Sequence, residues 1–353
     1  SSIKETAFMN KIKYLGVYII PLLGLLTFNV TGIYAFFGLF FLFVLVPLLE
    51  LVFSPNNYNF TQTEQDQAQY DLFYDRVLFL LVPLHIWVVY SFLTAFSNPL
   101  LAVSDQVAYV FMMGTILGVV GINLGHELGH KTGHSFKMFL SQIMLTTSIQ
   151  NHFTTYHNAG HHKDVATPLD YTSADVGANF YFFALRSQLG GYFKTWKLTS
   201  KKLRLQGKSQ FWNPMFSYAL LQLLFFACIY FQFGISTCLC YFASAVFGIS
   251  ILESQNYFAH YGLRRKKEAN GRYEKVKPHH SWNSDHVFGR VLLFELTRHS
   301  DHHHKGGKPY QLLNSDAEYP TLPYGYPMML LLSYVPFLFR PIMKKQLDQL
   351  KSV

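Results

Sequence analysis

Between Lys13 and Glu50 lie 36 residues without a single charge. A second uncharged block runs from Ser209 to Leu252. Each is too long for one membrane helix of about 20 residues, and no soluble core accounts for so much unbroken apolar chain. The first block breaks at Asn29 and Gly32, the second between Gln232 and Ser236. Each therefore reads as a pair of helices. Two further apolar runs precede His126 and turn near Asn98 and Pro99. The expected spans are about 14–29, 33–49, 77–96, 107–124, 213–232 and 236–256. Only 14% of residues are charged, and Phe (34) and Tyr (23) are abundant, as suits rings packed against lipid.

The turns inside these helix pairs carry almost no charge. The basic residues Lys4, Lys11, Lys13, Lys131, Lys137, Lys194, Lys197, Lys201, Lys202, Arg204, Lys208, Arg264, Arg265, Lys266 and Lys267 all fall on the other side. By the positive-inside rule both termini face the cytoplasm or its topological equivalent. The same rule gives the net charge of +9 a topological meaning and leaves no call for nucleic acid. The fold class expected is an all-α integral membrane protein, six helices in three hairpins with a His-rich cap on the cytoplasmic side. The whole chain reads as a single domain, with the cap in 125–211 and 261–318. The apolar run 319–343 holds five prolines and reads as an interfacial segment.

Sixteen histidines are present, and nine fall in four groups at the ends of apolar runs. They are His126 and His130; His157, His161 and His162; His260; and His299, His302 and His303. Spacings of three, four and five residues bring imidazoles onto one helix face. His126-Glu-Leu-Gly-His130 also has the letters of a zinc-protease helix, or is two surface histidines. The other three groups shift the balance to a larger metal site. Nine imidazoles exceed one coordination sphere and suit two ions, iron before structural zinc. Neutral ligands need nearby carboxylates to orient the rings, and Glu127, Asp164, Asp170 and Asp301 stand close in sequence. Glu253 lies inside the last span on the face of Asn256 and His260, where an ionisable group is a functional candidate. His134, His152, His279, His280, His286 and His304 fall outside the regular spacing and read as loop or supporting residues, and His85 as a hydrogen-bonded core histidine.

Cys228, Cys238 and Cys240 form no pair of Cys-x-x-Cys motifs, and no dinucleotide fingerprint follows a strand. Electrons must then come from another protein.

These residues resemble the membrane-bound alkane 1-monooxygenase family, within the integral-membrane fatty-acid desaturases and hydroxylases. The resemblance spans most of the chain. It rests on the run from Asn123 to Lys131, on Gly160-His-His with Val165-Ala-Thr-Pro168, on Asn256-Tyr-Phe-Ala-His-Tyr-Gly-Leu263, and on Arg298-His-Ser-Asp-His-His303. It implies that the nine grouped histidines hold two non-haem iron ions. It further implies O2-dependent hydroxylation of a terminal methyl in a hydrophobic substrate drawn from the bilayer. Electrons would come from a rubredoxin- or ferredoxin-type donor, in a bacterial inner membrane or an organellar one. Glu253, Glu127 and Asp301 are the acids expected to serve the chemistry. Where the family usually has Glu before the histidine, this chain has Tyr156 and Ala259. Two other readings share the metal: a lipid desaturase, and an inactive subunit that keeps its iron.

Overall fold

The computed structural model describes residues 10–351, so Lys4 lies outside the described residues. No strand occurs among the described residues; two isolated bridges, Lys267 to Tyr273 and Asn283 to Thr321, are the only pairings of that kind. Among the described residues, four helices are long and apolar enough to cross a membrane: Gly32–Val52, Leu72–Phe96, Val103–Gly129 and Pro214–Ala259. The protein is thus a multi-pass, all-helical membrane protein.

The expected span at 14–29 takes another form. A tight 3-10 segment, Lys13–Tyr18, leads into a nine-residue α-helix, Ile19–Thr27. Pro21 lacks the N–H that would reach Val17, so a regular α-ladder cannot run through this junction. The result is shorter than the other spans.

Pro214–Ala259 has 46 residues. Straight, it would reach about 69 Å, more than twice the hydrocarbon thickness of about 30 Å. It does not run straight. Gly234 sits at φ 83, ψ 171, a conformation essentially confined to glycine, and the chain turns there. Beyond the turn the Tyr241 ring comes within 6.0 Å of Phe226, and Cys238 Sγ within 3.8 Å of the Phe226 carbonyl. Residues 15 apart in sequence meet only if the two arms fold back on each other.

The second arm crosses Val103–Gly129 at glycines. A Cβ on Gly118 would stand 2.7 Å from the Gly248 carbonyl oxygen, so the two backbones touch. In lipid, where apolar surface gains nothing by leaving the solvent, such close packing is what joins helices. The crossing brings the ends of these two helices, and the histidines that follow, side by side.

Beneath the bundle lies the cap. Its longest element, Phe180–Leu205, is a 26-residue helix started by the Asn179 side chain, which accepts from the Tyr181 N–H at 2.9 Å. Buried charge ties the cap to the N-terminal segment. Glu295, 1% exposed, accepts from Arg290 Nε at 2.6 Å, Lys13 Nζ at 2.8 Å and Tyr14 Oη at 2.8 Å. The C-terminal run forms a short helix, Tyr326–Ser333, and a longer one, Pro336–Lys351. They pack on the second arm through Ser333 with Ser254 (2.6 Å) and Phe339 with Tyr257 (4.8 Å between rings). The eight residues of Tyr326–Ser333 span only about 12 Å, well short of the hydrocarbon thickness of about 30 Å.

Candidate metal centre

Each histidine group ends a helix or widens one. His126 lies in the last turn of Val103–Gly129, and His130 caps it. His260 caps Pro214–Ala259. The stretch His157–His161 is a π-turn that carries two imidazoles, and His162 follows directly after it. His299, His302 and His303 share the short helix His299–His304. That helix is held from outside: Ser300 N–H donates to Asn283 Oδ1 at 2.9 Å, and Arg298 donates to the carbonyls of Leu313 (2.6 Å) and Tyr58 (2.8 Å). Ile149, Ala166, Phe294 and Glu295 have positive φ, and these bends flank the histidine groups. For residues with a Cβ this backbone costs energy, which the surrounding contacts offset.

The nine histidines converge. Ligand nitrogens of His126, His130, His157 and His302 lie within 4.8 Å of one another, as do those of His161, His260, His299 and His303. His162 sits between the two sets. Its Nε2 is 2.9 Å from that of His157, and its ring is 4.5 Å from the His303 ring.

Eight of the nine meet through Nε2, at separations between 2.8 and 3.4 Å. Hydrogen bonding cannot satisfy these contacts. The His157 Nε2 faces those of His126, His162 and His302, yet one ring nitrogen holds either one proton or one lone pair. A metal–nitrogen bond of about 2.1 Å sets neighbouring ligand nitrogens about 3.0 Å apart at right angles and about 3.4 Å apart at tetrahedral ones. The observed spacings match. The ninth, His161, gives the same answer independently: its buried Nε2 has no hydrogen-bond partner. The residues present therefore fit metal ions in both quartets.

Electrostatics keep the rings in the ligating form. Burial lowers His130 to about 4 and His299 to about 3, and drives His157, His162, His260, His302 and His303 well below their ordinary value. Neutral imidazoles with a free lone pair are what a metal needs. Several outer nitrogens are oriented as well. His299 Nδ1 donates to the Leu296 carbonyl at 3.3 Å, and His260 Nδ1 faces the His280 carbonyl at 3.5 Å.

Of the acids near the histidines in sequence, only Asp170 hydrogen-bonds one. Its Oδ2 takes His161 Nδ1 at 2.9 Å, and its Oδ1 takes Tyr156 Oη at 2.9 Å. Burial opposes ionisation of Asp170, but His161 and the hydrogen bonds outweigh it and hold the carboxyl below the usual range. Nine residues separate Asp170 from His161 with no helical spacing, so only a bend through Ala166 and Thr167 joins them. Tyr156, which replaces an expected acid, reaches this carboxylate instead.

Other acids lie elsewhere. Glu127 is buried on the far side of its helix, in a pocket with Lys131, Lys137 and Tyr310. Asp301 accepts from Lys308 Nζ at 2.6 Å and Asn314 N–H at 2.8 Å. Asp164 pairs with Lys194 at 2.6 Å. Glu253 is buried against Gln188, and Asn256 donates to it at 3.3 Å. His85 meets Thr147 at 2.9 Å, as a core histidine should.

A largely apolar cavity leads to the cluster from the bundle. Its walls include Leu42, Phe43, Val119 and Leu252, and its floor includes His126, His157 and His299. Members of both quartets are thus open to the same apolar space.

A helical membrane scaffold with a polyhistidine site in its cap defines a class, and residues 104–331 match the fatty acid desaturase family. The chain belongs to that family of membrane oxidoreductases. Within it the chain is similar to alkane 1-monooxygenases. It is 35% identical over 328 residues to Alkane 1-monooxygenase 1 of Alcanivorax borkumensis, covering 92% of this chain and 80% of that protein. It is 33% identical over 327 residues to Alkane 1-monooxygenase of Pseudomonas putida, covering 92% and 81%. A more distant relative, at 26% over 281 residues, is the xylene/toluene monooxygenase hydroxylase component of Pseudomonas putida, covering 78% and 74%.

Proposed function

We propose that this chain hydroxylates the terminal methyl group of an alkane or a related hydrophobic molecule, with O2 as co-substrate. The observation that carries the reading is the apolar cavity that ends on His126, His157 and His299. Its walls offer a hydrocarbon only dispersion contacts, and they exclude water from the reacting end.

Two iron ions fit the ligand count. The first would be held by His126, His130, His157 and His302, the second by His161, His260, His299 and His303, with His162 available to complete either. Bound iron supplies the O2 chemistry; the protein supplies position. Asp170 fixes His161 so that Nε2 carries the lone pair. Asp301, through Lys308 and Asn314, anchors the helix of His302 and His303 to the loop that follows. Glu127, between His126 and His130 in sequence, faces a polar pocket on the other side of their helix. Glu253 accepts from Gln188, which in turn accepts from Gln150 at 2.9 Å; these amides fix the carboxyl group, the one member of the chain able to take up a proton. Glu253→Gln leaving both iron content and turnover unchanged would remove it from the mechanism.

Electrons come from a separate rubredoxin- or ferredoxin-type protein, since the chain has no cysteine cluster of its own. Six membrane segments, with the histidines on the cytoplasmic side, complete the reading. The short Lys13–Thr27 segment adds one to the four long helices, and the division of Pro214–Ala259 at Gly234 adds the other.

Iron quantification combined with product analysis under 18O2 tests it. Two irons per chain and an alcohol carrying the label are the expected result. An alkene without label would identify a desaturase. Two irons without substrate-dependent O2 uptake would identify an inactive subunit.

A further inference from the structure

One polar group in the apolar cavity has no partner. Asn123 is 6% exposed, and no protein atom accepts from its Nδ2. It lines the cavity together with His126, three residues on. Residues three apart share a helix face, so the amide stands about one turn from a metal ligand. The π-turn Leu117–Ile122 immediately before it widens the helix at this point.

The cavity's other polar groups are differently placed. Thr115 Oγ1 donates to the Phe111 carbonyl at 2.8 Å, and Asn256 Nδ2 to Glu253 at 3.3 Å. Gln255 is only half-buried. Asn123 alone combines full burial with a free donor.

We infer that Asn123 binds the oxygen of the alcohol formed at the reacting end of the cavity. The inference rests on the hydroxylation proposed above. A hydrocarbon has no acceptor, so in its complex the amide stays unpaired. A primary hydroxyl offers both an acceptor and a donor, and either end of the carboxamide can engage it. The cavity therefore discriminates between a hydrocarbon and its alcohol of equal length, in favour of the alcohol. Product inhibition is built into the site. Asn123 is a specificity-determining residue for oxygenated ligands, separate from the residues that hold metal.

The test uses the full-length, iron-loaded protein in lipid nanodiscs, with a straight-chain alkane and the primary alcohol of the same length. Two quantities are read: the ratio of the alcohol inhibition constant to the alkane KM, and the shift in melting temperature that the alcohol produces. Asn123→Leu is expected to raise the ratio about tenfold and to abolish the shift. Asn123→Ser, which keeps a hydroxyl donor, should recover part of both. If Asn123→Leu does not fold, Asn123→Val deletes the amide with less added bulk and carries the same expectation. An unchanged ratio and shift, at wild-type iron content, would overturn the inference and assign the amide to solvent. A wild-type protein that is neither inhibited nor stabilised by the alcohol would overturn it too. Absence of any alcohol product from the wild-type protein would instead count against hydroxylation itself.

Discussion

Asp170 shows how one side chain can outrank those nearer to the ligands in sequence. It is the carboxylate that touches a grouped histidine, and it is itself held by Tyr156 and by Ser173 Oγ at 2.6 Å. Asp170→Asn should weaken metal binding about 10–100-fold in a chelator competition, because the His161 ring loses its orienting acceptor. Tyr156→Phe should cost far less, since Thr172 and Ser173 still bond the carboxylate. Glu295 is the structural counterpart. Burial opposes its charge, but Arg290 and Lys13 prevail and hold its carboxyl below the usual range. Because the folded value lies below the unfolded one, this stabilisation is fully present above the ordinary glutamate value of 4.5 and is lost as pH falls from there through the lower folded value. Acid melting of the protein should reveal the loss. Glu295→Gln, which strands buried Arg290, should destabilise by about 3–5 kcal/mol in thermal unfolding.

At the level of helices, two glycine sites do most to position the histidines. Gly234 lets one 46-residue helical run fold back on itself. Gly234→Ala should cost about 1–3 kcal/mol, seen as a lower melting temperature, because a Cβ is strained in that conformation. Gly118 and Gly248 let two backbones touch, and the crossing fixes the distance between His126 and His260. Gly118→Val should therefore lower both melting temperature and iron occupancy, even though Gly118 touches no metal ligand. A mutant that lost stability but kept full iron occupancy would break this link between crossing and site. The π-turns at Leu117–Ile122 and His157–His161 act in the same way on a smaller scale.

For the whole molecule, metal and fold are coupled. Eight imidazoles, six buried and two half-buried, meet nitrogen to nitrogen with no mutual hydrogen-bond solution, so the cluster without metal is a destabilising element. Chelation of the metal should lower the melting temperature. The loss should correspond to roughly 2.7 kcal/mol if free metal had stood at 100 times Kd. A melting temperature indifferent to chelation would mean that the cap holds the histidines together without help.

Helix count and site were legible to different degrees. Uncharged blocks revealed the membrane helices, because removing charge from lipid is an unconditional requirement that each segment meets alone. Residue spacing revealed the nine histidines for a similar reason: neighbours on a helix face are set by local geometry. The short first segment was not legible, since its 3-10 turns depend on one proline in context. Neither was the 26-residue cap helix within 125–211, nor the choice of Asp170 over Glu127 and Asp301. The free amide of Asn123 was equally hidden. These depend on which loops bend, and on what each side chain meets across the fold. Alone, the sequence determined a membrane protein with a polyhistidine metal site, because burial and helical period are written in the local chain. The tertiary structure decided which acid orients a ligand and where the apolar cavity meets the metal site, because those contacts join residues that no local rule brings together.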